Sequence, residues 1–182
     1  MLKASENPPI IWPKEKSIAD FSGTWWVAHT KSRNEKALAW QMQRKEICYF
    51  LPMSWKVSRR KGRTLRSLLP LFTGYVFFCG DEDQRVEVLR TNRIASLIEV
   101  KDQLSLLRDL GPIELVLRKG EQLVPHKYIK AGQQCRVIAG PLMGTEAIVV
   151  RAQHQMRLVL QVDILGQATS LEIDTDMIEI ID

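Results

Sequence analysis

The sequence predicts an α+β domain, an antiparallel sheet with helices on one face, followed by a small all-β barrel. Three observations carry this. Strand-like and helix-like segments alternate through residues 22–119, in the order β-α-β-β-α-β-α. Gly120–Ala131 (GEQLVPHKYIKA), with a proline, mixed charges and little periodicity, then reads as a linker. From Gly132 the texture changes to five short β runs, CRVIAG, EAIVV, LVLQVDI, SLEI and MIEII, separated by GPLMG, AQHQM and GQATS. Strands of that length and spacing build a small barrel, here over residues 132–182. The chain of 182 residues has room for two such domains.

Residues 1–21 combine two adjacent prolines with scattered charge and read as a flexible tail. WWVAHTK (Trp25–Lys31) is rich in strand formers and ends at Ser32-Arg33-Asn34, a helix-start signal with Asn34 or Ser32 as N-cap. EKALAWQMQRK follows with apolar residues at helical spacing, and ICYFLPM is a strand closed by Pro52. MSWKVSRRKGRTLRSLLPLF reads as two extended arms around Lys61-Gly62. In PLFTGYVFF, Gly74 marks a bulge or a close backbone approach. DEDQRVEVLRTNR has an acidic first turn and a basic last turn, the polarity a helix dipole favours. IASLIEV is a strand. Asp102–Leu110 forms a helix that Gly111-Pro112 breaks, and Pro112 starts a further short helix to about Lys119.

Composition narrows the function classes. No apolar run reaches the roughly 18 residues of a membrane span, and the N-terminus lacks a secretory signal, so a cytoplasmic protein is expected. Cys48, Cys79 and Cys135 are unclustered, which argues against a disulfide framework or a zinc site. His29, His126 and His154 have no metal-ligand spacing, and no phosphate loop, GxSxG or HExxH occurs. Asp81-Glu82-Asp83 is explained as an acidic helix start. The expectation is a protein without catalysis, metal or cofactor.

Charge is distributed unevenly. Residues 1–111 carry 19 Lys and Arg against 12 Asp and Glu, whereas residues 112–182 carry 7 against 9. Nucleic-acid proximity is therefore expected of the front only. Lys56–Arg66 holds Lys56, Arg59, Arg60, Lys61, Arg63 and Arg66 with no acid, enough to neutralise several phosphates or, alternatively, a solvated hairpin. Lys31, Arg33 and Lys36 form a second basic set at a strand-to-helix junction, where free helix N–H groups also favour anions. Phe72, Tyr75, Phe77 and Phe78 occupy both faces of one strand, and Trp25 and Trp26 straddle another. Helices cover one face of such a sheet, so aromatics on both suggest that loops or a partner protect the second.

Together these segments resemble the NusG family over residues 22–182. WWVAHTKSRNEKAL resembles the opening strand and helix of the family's N-terminal domain. LLPLFTGYVFF resembles its F-P-G-Y-V strand, with Thr73 in place of proline. GQQCRVIAGPLMGTEAIVV resembles the KOW motif, with Gly140, Pro141 and Gly144 in place and Ala147 where glycine is common.

The resemblance implies a monomeric transcription elongation or antitermination factor that suppresses pausing or termination. Family members lay a hydrophobic cavity on the β′ clamp helices of RNA polymerase and bridge to the β-subunit side of the DNA channel. Carried over, the cavity includes His29, Phe72, Tyr75 and Phe77. Lys31, Arg33 and Lys36 lie near the upstream or non-template DNA, with Arg59, Arg60, Lys61 and Arg63 also close to nucleic acid. Arg60-Lys61-Gly62-Arg63 and PHKYIKAG resemble the specialised RfaH-like or polysaccharide-operon paralogues, although the RfaH-type His-Thr-Thr-Thr contact is replaced by about Gln84–Glu87. In the general factor an aromatic before the late glycine contacts Rho or a small-subunit ribosomal protein. Ile164 and Leu165 hold that place here, without the aromatic. The alternatives are a housekeeping NusG or a KOW-type ribosomal or RNA-binding protein, and the latter explains only the last segment.

Overall fold

The structure is a computed structural model that describes residues 6–60, 62–126, 132–152 and 155–181. It divides into two compact units, Met1–Gln103 and Leu104–Asp182. The division falls after the first residue of the third helix, earlier than the boundary at residue 119 that the sequence suggests.

In the first unit the elements are β1 (Ile11–Trp12), β2 (Thr24–Thr30), α1 (Glu35–Arg44), β3 (Cys48–Phe50), β4 (Met53–Arg60), β5 (Arg63–Pro70), β6 (Tyr75–Gly80), α2 (Glu82–Arg90) and β7 (Ile94–Glu99). Five strands form an antiparallel sheet in the order β1-β3-β6-β2-β7, and β4-β5 is a separate hairpin. Alternation along the strands gives each face its own residues. Ala28, Val76, Phe78 and Tyr49 point to one face, where they bury with Leu38, Ala39 and Met42 of α1 and Val88 of α2.

Residues 6–21 do not behave as a tail. Ile11 and Trp12 pair with Phe50 and Tyr49, Ile11 and Ile18 are buried, and the Tyr49 hydroxyl donates to the Pro9 carbonyl at 3.0 Å. Prolines and charges mask a short apolar segment here. Ile10-Ile11-Trp12 has enough surface to seat on the sheet edge through β3. Residues 1–5 lie outside the described residues.

Helix ends follow local chemistry. Asp81 caps α2 by accepting from the Gln84 N–H at 2.8 Å, and the Gln84 side chain reaches back to the Asp81 N–H. Asn34 occupies the N-cap of α1 without capping it, because its Oδ1 accepts from Arg93 and its amide donates to the Ser32 carbonyl. At the C-terminus of α1, Ile47 N–H bonds to the Met42 carbonyl and Glu46 N–H to Gln43. That reciprocal pair is a Schellman ending with Glu46 in the left-handed region.

The second unit holds α3 (Gln103–Arg118) from its second residue on, with β8 (Val124–His126), β9 (Gln133–Val137), β10 (Glu146–Ala152), β11 (Gln155–Val162), β12 (Gln167–Glu172) and β13 (Ile178–Ile180). Its six strands form one antiparallel sheet, ordered β13-β9-β10-β11-β12-β8. All five strands expected after Gly132 are present. The sixth, β8, comes from the segment read as a linker: Val124–His126 pairs with Ser170–Ala168, and Thr169 Oγ1 donates to the Val124 carbonyl at 2.9 Å. Residues 127–131 of that segment lie outside the described residues.

The expected break at Gly111-Pro112 does not occur. α3 is continuous with Pro112 inside it, and Leu106, Leu110, Ile113 and Val116 are all buried. Proline forfeits one backbone hydrogen bond and crowds the carbonyl four residues back. An apolar stripe at spacings of four, three and three runs through the site, and its burial offsets that cost. No described helix is long and apolar enough to cross a membrane.

Candidate functional site

The second face of the first sheet carries the residues expected to bind a partner. Trp25, Val27 and His29 of β2 lie opposite Cys79, Phe77 and Tyr75 of β6, and Phe50 of β3 lies opposite Phe77. Phe72 meets Phe77 edge-on at 6.2 Å between ring centroids, Phe50 meets Phe77 at 6.4 Å, and Phe21 stacks on Trp25 at 5.5 Å. Phe50, Phe72 and Phe77 are fully buried within the chain. Burial lifts the Cys79 thiol beside this cluster to about 11, reinforced by Cys48 directly across the strands.

His29 and Tyr75 differ from Phe72 and Phe77. Their rings stack at 5.0 Å and both remain half-buried. They stand where β6 begins, and Gly74 makes that approach possible. Its φ is +86°, its N–H donates to the buried Glu35 carboxylate at 2.7 Å, and its carbonyl accepts from Thr30 N–H at 2.8 Å. A side chain at Gly74 would begin 3.5 Å from the His29 ring in a backbone conformation that L residues resist. His29 Nδ1 also faces Ser96 Oγ at 3.4 Å. The expected four-residue cavity therefore separates into a buried base, Phe72 and Phe77, and an accessible rim, His29 and Tyr75.

The basic set at the β2–α1 junction is divided too. Lys31 donates to the carbonyl and side-chain oxygen of Asn92, both at 2.8 Å. The Lys36 ammonium binds Asn7 Oδ1 and the Leu68 carbonyl of β5, and burial lowers its pKa. Arg33, at φ +59°, is exposed. Lys36 thus ties the base of the hairpin to α1, a role its charge alone did not reveal.

The hairpin is the long element the sequence expects, paired from Met53↔Pro70 to Arg60↔Arg63. Lys56, Arg59, Arg63 and Arg66 are exposed along it, Lys61 lies outside the described residues, and Arg60 is described for its backbone alone. Sequence reasoning passed over Trp55 and Val57, which are 42% and 55% exposed on the same ribbon. The signal was present as their alternation with polar residues in MSWKVSRR.

In the second unit the turn between β9 and β10 is held by its glycines. Gly144, at φ +87°, donates its N–H to the Val137 carbonyl at 2.7 Å, and Thr145 N–H donates to Leu142. Ile164 and Leu165 are half-buried in a one-turn helix, Asp163–Leu165, that ends on left-handed Gly166. The Asp163 N–H donates to the Asp109 carboxylate of α3 at 3.0 Å. Val116 of α3 lines a cleft of about 520 Å³ with Val137, Leu142, Met156 and Leu171.

A family model described as "Transcription termination factor nusG" matches residues 23–110. No curated protein matches the chain. Among solved structures, a chain of the crystal structure of the MjSpt4:Spt5 complex, conformation B, is similar at 16% identity, covering 87% of this chain and 97% of that chain with a TM-score of 0.29.

Proposed function

We propose that this chain, whose residues 23–110 match the NusG family model, is a non-catalytic elongation factor that binds the β′ clamp helices and β subunit of RNA polymerase and suppresses pausing or termination. The observation that carries this reading is the half-buried His29–Tyr75 pair on the same sheet face as Phe77, which packs against buried Phe72. An aromatic rim fixed by a rigid base is preorganised, so little side-chain freedom is lost on docking. Binding that favours the closed, elongating polymerase over the paused one shifts the population towards elongation.

In this reading the polymerase-binding domain spans residues 22–119 and the KOW domain residues 132–182. Arg33 and the hairpin cations approach upstream or non-template DNA. The factor acts on particular long operons, which the Arg60-Lys61-Gly62-Arg63 tip and Leu165 in place of an aromatic support. Contact of Ile164 and Leu165 with Rho or a small-subunit ribosomal protein is correspondingly weak.

The test is retention of purified polymerase by Tyr75→Ala and His29→Ala proteins of unchanged thermal stability. Reduced retention is expected. Wild-type retention by both would remove this face from the interface.

A further inference from the structure

From the register of the hairpin we infer that one face of β4-β5 is a binding site for single-stranded nucleic acid, with Trp55 as a base-stacking platform and Arg59 and Arg66 as phosphate contacts. The inference deepens the reading of the hairpin as nucleic-acid-proximal and rests on that reading for where in the cell a single strand would be met.

Side chains alternate along a strand, so Trp55, Val57 and Arg59 of β4 share a face. The residues opposite them are Leu68, Arg66 and Thr64. From base to tip this face reads indole, then valine beside arginine, then arginine beside threonine. Same-face neighbours along one strand are roughly 7 Å apart. Trp55, Val57, Arg59 and Arg66 are all exposed. An indole next to a short row of guanidinium groups suits a strand whose bases are free to stack while its phosphates run past the arginines.

Duplex nucleic acid suits this face less well. Its bases are stacked on one another, and the exposed indole and valine would face sugar and phosphate. A protein surface suits it less well on charge. The opposite face of the ribbon exposes Lys56 and Arg63, and residues 56–66 contain no acid, so both faces are cationic. The base of the ribbon is fixed: Met53 is in the core, and Lys36 of α1 holds the Leu68 carbonyl directly across from Trp55. The platform is therefore presented from a braced position and not from the tip.

The experiment uses the full chain and labelled oligonucleotides of one mixed sequence, as single-stranded DNA, single-stranded RNA and duplex DNA. Affinity is read by fluorescence anisotropy over a range of salt. At matched salt both single strands should bind more tightly than duplex. Trp55→Ala should weaken single-strand binding by about tenfold with an unchanged salt slope, and Trp55→Phe should retain most of the affinity. Arg59→Gln with Arg66→Gln should reduce the salt slope by roughly 1.5. Stronger binding of DNA or of RNA identifies the natural strand, and either supports the inference. Unchanged single-strand affinity in Trp55→Ala, or equal binding of duplex, would overturn it. Loss of polymerase retention by Trp55→Ala with oligonucleotide binding intact would also overturn it and make the face a protein-binding surface. Free oligonucleotide binding needs no polymerase, so its failure would leave the proposed function standing.

Discussion

The two units build their cores from different residues. All thirteen Phe, Trp and Tyr residues lie at or before Tyr128, so residues 132–182 contain none. The first sheet buries aromatic rings on both faces, with Tyr49 and Phe78 on one and Phe50, Phe72 and Phe77 on the other. The second unit is closed by Cys135, Val137, Leu158, Leu160, Val162 and Ile178, small and aliphatic side chains along a sheet of mostly sequential pairings. Charge divides the same way, with a basic front and a slightly acidic rear. Interface energy concentrates in buried aromatic and arginine anchors. On the proposed function, attachment falls to the first unit, where the half-buried His29 and Tyr75 rings are accessible to a partner.

Substitutions in the aromatic base should break this contrast most severely. Phe72→Ala should cost about 3–5 kcal/mol of stability, because it opens a cavity beside Phe77. Chemical denaturation measures this, and any loss of partner binding by this variant has to be compared with its loss of fold. Next comes Glu35→Ala, which strips the acceptor from the Gly74 N–H and should cost roughly 1–3 kcal/mol. Tyr75→Ala should separate from both, with a smaller change in denaturation midpoint and a clear loss of polymerase retention. If Tyr75→Ala destabilised as much as Phe72→Ala, the distinction between base and rim would fail.

Smaller effects are expected at the charges. Exchanging Arg59, Arg63 and Arg66 for glutamine should flatten the salt dependence of binding to assembled elongation complexes on every DNA sequence, by roughly 0.9 for each phosphate no longer neutralised. A weakening confined to one sequence would make the hairpin a base reader. Arg136, which bridges Glu146 at 2.7 Å and Glu179 at 3.4 Å on the second sheet, is exposed. Arg136→Ala should leave the denaturation midpoint almost unchanged.

Alternation and turn chemistry made most of both sheets legible in the sequence. The hairpin, the Asp81-started helix and the five late strands follow from residue pattern alone. Three features needed tertiary context. The pairing of Ile11–Trp12 and of Val124–His126 depends on a free sheet edge, which no local pattern reveals. The continuity of α3 through Pro112 depends on what buries Ile113 and Val116. The candidate site was legible by residue type but not by exposure. Phe72 and Tyr75 carry similar signals in the sequence, and packing alone makes one a base and the other a rim. Lys36 was read as a surface cation because the Leu68 carbonyl it holds lies far along the chain.

On the proposed function, the first unit carries polymerase attachment and antipausing activity. The direct test is the pause lifetime of purified RNA polymerase with two overlapping fragments, residues 1–119 and residues 104–182, both retaining residues 104–118 of α3. The expected result is that 1–119 shortens pauses and that Tyr75→Ala abolishes the effect, while 104–182 leaves pausing unchanged. Pause suppression by 104–182 alone, with 1–119 inactive, would contradict it.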